Sequence, residues 1–225
     1  MDSHGLGPEL PGAVLLARSV LPIKPAPIEL ESPSLRVRPF DPSDALGLYE
    51  IANGEPVARL GNSVDGYDAE EEIWKYMPFG PFASASALGD VHSIINERPN
   101  SRVFCVVDRS TDQLIGSVSL ISNEPQHLKI EIGAVWYTPA VHNRGVNAEV
   151  VKLFAAHVFG LGYRRFEWKC HADNVRSRRA AVRSGFTFEG IHESHTIQRD
   201  RSRDTAWYRV LVGEWGSSQP FTGPE

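Results

Sequence analysis

The residues best equipped for chemistry lie between Ile130 and Phe186. The run Ile130-Glu131-Ile132-Gly133-Ala134-Val135-Trp136-Tyr137 reads as an apolar strand, stopped by Pro139. The turn His142-Asn143-Arg144-Gly145-Val146-Asn147 then leads directly into a helical pattern. Such a turn leaves a row of backbone N–H groups without intrahelical partners, backed by the positive end of a helix dipole. That arrangement suits a phosphate or pyrophosphate. Taken alone, the same glycine also suits a plain tight connection.

A second segment follows another strand by three residues. In Asn174-Val175-Arg176-Ser177-Arg178-Arg179-Ala180-Ala181-Val182-Arg183-Ser184-Gly185-Phe186, Asn174 and Ser177 fall on the opening turn of a helix. Ala180 and Ala181 permit close packing, and Gly185 ends the helix. The chain has neither G-x-x-x-x-G-K-[ST] nor G-x-G-x-x-G, which argues against a nucleoside-triphosphate P-loop and a dinucleotide fold.

These segments need a scaffold, and 225 residues suffice for one well-filled core. The net charge of −5 speaks against a general nucleic-acid binder. Two cysteines, Cys105 and Cys170, make no disulfide framework, so a reduced, cytoplasmic setting is expected. The apolar run Gly12 to Ala17 is too short for a membrane span and lacks the basic start of a signal peptide. No membrane partner, no nucleic-acid partner and no metal are expected.

Residues 1–32, rich in Gly and Pro, read as a loose N-terminal arm; residues 33–215 form one domain, and residues 216–225 a tail. Leu35 to Phe40 alternates as a strand, and Asp41-Pro42-Ser43-Asp44 starts a helix over Ala45 to Ile51. Helices are expected over Asp68 to Tyr76 and Ala87 to Asn96, separated by the loop Met77 to Phe82. Val103 to Val107 is apolar on both faces, as a central strand would be, and Leu114 to Ile121 follows as another. Val146, Val150, Leu153, Phe154, His157 and Val158 share a helical face that Gly160 and Gly162 close. Phe166, Trp168 and Cys170 alternate against Arg165, Glu167 and Lys169; Phe186–Ile197 and Thr205–Val212 read as a final antiparallel pair. The order describes a mixed α/β domain around one twisted sheet.

The Asn174–Phe186 run and the strand–turn–helix at Gly145 resemble the GNAT superfamily of acetyl-CoA-dependent N-acyltransferases. With Trp74-Lys75-Tyr76-Met77-Pro78-Phe79-Gly80-Pro81-Phe82 and Arg203-Asp204-Thr205-Ala206-Trp207, they resemble its RimJ/RimL-like branch. The likeness spans roughly residues 33 to 215. It implies the GNAT fold: a central twisted, mostly antiparallel sheet with splayed central strands, flanked by helices. It also implies acetyl-CoA as co-substrate. Asn143, Arg144, Gly145, Val146 and Asn147 would hold its pyrophosphate. The backbone of Ala134, Val135, Trp136 and Tyr137 would pair with the pantetheine amides, and Asn174 would bond the same arm. Against the family turn Q/R-x-x-G-x-G/A, Gly145 is present while His142 and Asn147 replace the usual end residues. Ser177 takes the position of a hydroxyl that protonates the departing thiolate.

The chemistry so implied is direct acetyl transfer to a primary amine, without a covalent enzyme intermediate. The amine must be neutral, and an alkyl ammonium has a pKa of about 10, so a base or a desolvating pocket is needed. Glu131 on the cofactor strand is one candidate, with a carboxylate facing solvent or a basic neighbour as the alternative. His195 and His192, on the penultimate strand, are others, with an ordinary exposed histidine as the alternative. Asn174 also fits a helix N-cap, and Ser177 a first-turn hydroxyl bonded to its own backbone. Cys170 reads as a small buried filler. Trp74, Tyr76, Phe79 and Phe82 either wall an acceptor pocket or pack beneath a loop. As a pocket wall they favour a small-molecule acceptor over a protein N-terminal amine. One of the arginines at 176, 178, 179, 183, 199, 201 and 203 could reach the coenzyme's 3′-phosphate or an acidic substrate, or they simply face solvent on a helix and a hairpin. A catalytically silent acyl-CoA-binding module is the rival reading, and pairing of terminal strands would allow a homodimer.

Overall fold

The computed structural model describes Gly7 and residues 9–215; the tail 216–225 and the first few residues lie outside it. Eight strands form one sheet in the order β1 (Leu30–Glu31), β2 (Leu35–Pro39), β5 (Arg102–Asp108), β6 (Gln113–Glu124), β7 (Lys129–Tyr137), β8 (Arg165–His171), β10 (Arg201–Leu211) and β9 (Thr187–Gln198). Every pairing is antiparallel except β7 with β8. The expected mixed α/β architecture, with its mostly antiparallel sheet, is therefore the one present.

The central strands show why the sheet needs cover on both faces. In β5, Phe104 and Val106 enter one apolar cluster while Val103 and Cys105 enter the other, following the two-residue period of a strand. The first face is covered by α4 (Val146–Gly160), which buries Val146, Val150, Val151, Phe154, Ala155 and Val158, and by α5 (Val175–Arg183). Each such fully buried large side chain contributes about 1.5–3 kcal/mol. The second face is covered by α2 (Ala45–Glu50), α3 (Ala85–Glu97) and Trp74. The start signal before α2 is a capping box: Ser43 N–H donates to Asp41 Oδ1 at 2.9 Å and Asp41 N–H to Asp44 Oδ2 at 2.8 Å.

Three segments differ from expectation. The arm is not wholly loose: Pro11 starts α1 (Gly12–Val20), and β1 pairs with β2. Asn123 fixes the chain between them, its Nδ2 donating to Pro22 O at 2.9 Å and Ile23 O at 2.8 Å. The helix expected over Asp68 to Tyr76 shrinks to a wide turn at Glu70–Trp74, with Lys75 N–H donating to Glu70 O, five residues back, at 2.7 Å. There the indole of Trp74 leaves the helix surface and donates to Ala52 O at 3.0 Å. Last, β3 (Val57–Arg59) and β4 (Asn62–Val64) form a separate hairpin.

Candidate active site

The parallel pairing of β7 with β8 runs from Lys129 opposite Arg165 to Ile132 opposite Trp168 and stops. Between Gly133 and Trp136, three steps of β7 face two of β6, and Ala134 takes a left-handed φ of 50°. This bulge turns β7 away from β8. A Cβ on Gly133 would lie 2.4 Å from Ile121 Cδ1, so a larger residue there would have to push that side-chain end aside. The backbone of Gly133 to Tyr137 thus pairs with no strand on the β8 side, and the gap opens into a cleft of about 870 Å³.

At the end of the gap stands the turn into α4. Asn143 and Gly145 adopt φ of 60° and 80°, and a Cβ built on Gly145 meets nothing within 4 Å. Among the described residues, no protein acceptor takes the N–H groups of residues 143–148, all of which line the cleft. The two departures from the family turn brace it: His142 Nε2 lies 3.2 Å from Tyr137 O, and Tyr137 OH donates to Asn147 Oδ1 at 3.4 Å. Burial, and then Arg176, hold the His142 pKa below its ordinary value, so the ring is neutral at neutral pH. The β3–β4 hairpin supports the same turn, with Asn62 Nδ2 donating to Ala140 O at 2.9 Å and Arg144 to Leu60 O at 3.4 Å. A strand edge with free amides, ending on unpaired N–H groups at a helix start, fits a thioester carried on a pantetheine diphosphate.

On α5, Asn174 is the helix cap, its Oδ1 accepting from Ser177 N–H at 2.9 Å, while its amide nitrogen is left for the cleft. Ser177 Oγ accepts from Trp168 Nε1 at 3.1 Å. That donation polarises the hydroxyl and strengthens it as a proton donor. Cys170 is a buried filler whose thiol pKa is pushed up by burial, with Ser177 beside it pulling the other way.

Glu131 faces the basic neighbour that was one of its two readings. It is 5% exposed and accepts from Lys169 Nζ at 2.7 Å; Lys169 also lies 3.0 Å from Glu167 and 4.0 Å from the Trp207 ring centre. Burial pushes the Glu131 carboxyl up against the pull of Lys169. Burial alone would lower the Lys169 pKa, but Glu131 and Glu167 outweigh it, so Lys169 stays an ammonium. His195, exposed on β9, has Nδ1 3.1 Å from Thr205 Oγ1. Its pKa is lowered by burial, then by His192, Lys169 and Arg203, so it is neutral at neutral pH.

The cleft gathers Glu131, Ser177, His195, Asn174, Ala134 to Tyr137 and Asn143 to Asn147. His192 is outside this lining and stacks on Trp207 at 4.5 Å. The aromatic segment divides: Tyr76 and Phe79 line the cleft, whereas Trp74 is fully buried in the core. Trp136 likewise offers the cleft its backbone while its side chain packs on Trp74. Among the arginines, Arg176 bonds Glu72 at 3.3 Å and Arg178 bonds Tyr208 OH at 3.1 Å, while Arg183 and Arg203 line the cleft without a carboxylate partner among the described residues. Lys169 was missed as a site residue; its alternation with Trp168 and Cys170 placed it on the polar face, but only the β7 register brings it to Glu131.

A family model described as an acetyltransferase (GNAT) domain matches residues 34–187. A ribosomal-protein-serine acetyltransferase of Escherichia coli (strain K12) is 28% identical over 120 residues, 53% of this chain; the chain spans 65% of that relative's length. Among solved structures, a GCN5-related N-acetyltransferase from Brucella melitensis is 32% identical with a TM-score of 0.76, covering 86% of this chain and 82% of that one. A probable GNAT-family acetyltransferase from Chromobacterium violaceum is 27% identical with a TM-score of 0.78, covering 95% of this chain and 100% of that one. No described helix is long and apolar enough to cross a membrane.

Proposed function

The chain belongs to the GNAT family of acetyltransferases, and from that membership we propose that it transfers an acetyl group from acetyl-CoA directly to the primary amine of a small molecule. The observation that carries this reading is the gap between β7 and β8, whose unpaired backbone leads to the free N–H groups at Gly145. The amine nitrogen forms a bond to the acetyl carbon as the carbon–sulfur bond breaks; the amine gives up a proton and the thiolate gains one. Glu131 accepts the amine proton, and Lys169 holds that carboxylate in place. His195, neutral and at the exposed end of the cleft, passes the proton to solvent. Ser177 supplies the proton to the sulfur. A protein N-terminal amine is the second reading, supported by the likeness to the E. coli ribosomal-protein enzyme. The small molecule is preferred because Arg199 clasps the β9–β10 turn onto the 70–80 segment, bonding Glu70 Oε1 at 2.7 Å, Trp74 O at 3.0 Å and Phe79 O at 3.1 Å. That clasp holds the hairpin against Phe79, which lines the cleft.

The test is release of CoA thiol from acetyl-CoA across a panel of primary amines and short peptides. Transfer to small amines supports the reading; transfer to peptides alone replaces it with the second, and binding without transfer to any amine favours the silent module. Ser177→Ala is expected to slow transfer about a hundredfold while sparing acetyl-CoA affinity. Undiminished turnover in that variant removes Ser177 as the acid. The pH profile checks Glu131. A carboxyl pushed up by burial loses its base form as pH falls through a pKa above the usual glutamate range, so kcat/KM drops on that acid limb. Glu131→Gln should erase the limb and lower the plateau by at least about a hundredfold; a wild-type profile in the variant rules Glu131 out.

A further inference from the structure

The acceptor end of the cleft contains a guanidinium on which Glu131 acts only from beyond ion-pair distance. Arg203 lies on β10 opposite Thr196, half-buried in the cleft lining. Its Nη1 donates to Gln198 Oε1 at 2.9 Å, but its Nε is shut off from solvent with no hydrogen-bond partner. Among the described residues, Arg203 forms no ion pair, whereas Lys169 has Glu131 and Glu167, and Arg176 has Glu72. Arg98, Arg144 and Arg183 also border the cleft without a carboxylate partner, but they stand in water, where an unpaired charge costs little. A partly desolvated guanidinium whose Nε lacks a partner is costly unless an anion joins it.

The position of Arg203 decides which anion that is. Thr205 is opposite His171, the last residue of β8, so Arg203 lies beyond the end of that strand. In the sheet, β8 stands between β10 and β7, the strand that leads into the diphosphate turn at Gly145. Arg203 therefore stands across the gap from the phosphate-binding turn, on a strand two places from β7 in the sheet, although both border the same cleft. It shares the cleft lining with His195, Thr196 and Thr205, on the side where Lys169 over Trp207 links β10 to Glu131. An anion reaching it from this side belongs to the acceptor.

We propose that Arg203 receives a carboxylate of the acceptor, so that the acetylated amine belongs to a small amino-acid-like molecule bearing both groups. A guanidinium fork matches a carboxylate in two parallel hydrogen bonds, which gives direction as well as attraction. The inference rests on the acetyl-transfer reading above and narrows its substrate class.

The experiment uses amino acids with one to five carbons between amine and carboxylate, each beside its carboxamide, with CoA thiol release as the readout. Wild-type protein should favour the acids over the amides at least tenfold in kcat/KM. Arg203→Gln should erase that difference, chiefly through KM for the acids, and Arg203→Lys should keep part of it. Retained stabilisation by acetyl-CoA shows that each variant is folded, and Gln198→Ala separates loss of the guanidinium from loosening of the hairpin. Equal rates for acids and amides in the wild type, or a preference that survives Arg203→Gln, overturns the proposal. If acetyl-CoA binds but none of these amines is acetylated, calorimetry of the same acids on CoA-loaded protein decides it. Binding that Arg203→Gln removes supports the carboxylate site even as the transfer reading fails, and no binding overturns it.

Discussion

Replacing Gly145 by Trp is expected to abolish acetyl-CoA binding while leaving a folded protein. The Cβ would enter open space at a residue lining the cleft, so the unliganded fold meets no clash. The backbone φ of 80° is unfavourable for a non-glycine residue and costs about 1–3 kcal/mol. The indole, however, would occupy the space onto which the N–H groups of residues 143–148 open. At a ligand concentration a hundred times the dissociation constant, the wild type gains about 2.7 kcal/mol of stability, and the variant should gain none. Gly145→Ala shares the backbone cost without the bulk and should retain part of the gain. Equal stabilisation of wild type and Gly145→Trp in thermal unfolding would move the diphosphate elsewhere.

The second large effect lies under the acceptor wall. Trp74 is fully buried, with ring centres 5.1 Å from Phe82, 5.2 Å from Trp136 and 6.1 Å from Phe79, and its Nε1 donates to Ala52 O. Trp74→Ala should cost about 3–5 kcal/mol, because the neighbours close the cavity only in part. It should also weaken acetyl-CoA binding, since the Trp136 side chain rests on Trp74 while its backbone edges the gap. Urea unfolding measures the first effect and acetyl-CoA titration the second. A stability loss under about 1 kcal/mol would mean that the segment is loop packing with little bearing on the core.

What could be read in advance follows from how local each signal is. Val103 to Val107 declared itself as an unbroken apolar run, Phe166 to Cys170 through two-residue alternation, and the capping box at Asp41 and Asp44 through residues three apart. The gap between β7 and β8 was legible only through resemblance, because the bulge at Ala134 is a matter of how β7 pairs with β6 and leaves no local pattern. Trp74 was ambiguous for a related reason: whether an aromatic walls a pocket or fills a core is set by Ala52 and Trp136, distant in sequence. The β3–β4 hairpin left no readable pattern, because its strands are three residues long and Arg59 and Asn62 flank the Leu60-Gly61 turn. Arg203 appeared within a segment of family resemblance and as one of seven arginines open to an acidic partner, with nothing to single it out. The missing partner at its Nε is a property of the fold around it.

The central claim is that the turn at Gly145 and the gap beside it hold acetyl-CoA. Thermal unfolding of the wild-type chain, alone and with acetyl-CoA, NADH or ATP, tests it most directly. The account predicts a rise in unfolding temperature with acetyl-CoA and little or none with the other two. No rise at millimolar acetyl-CoA, or an equal rise with all three, would contradict it.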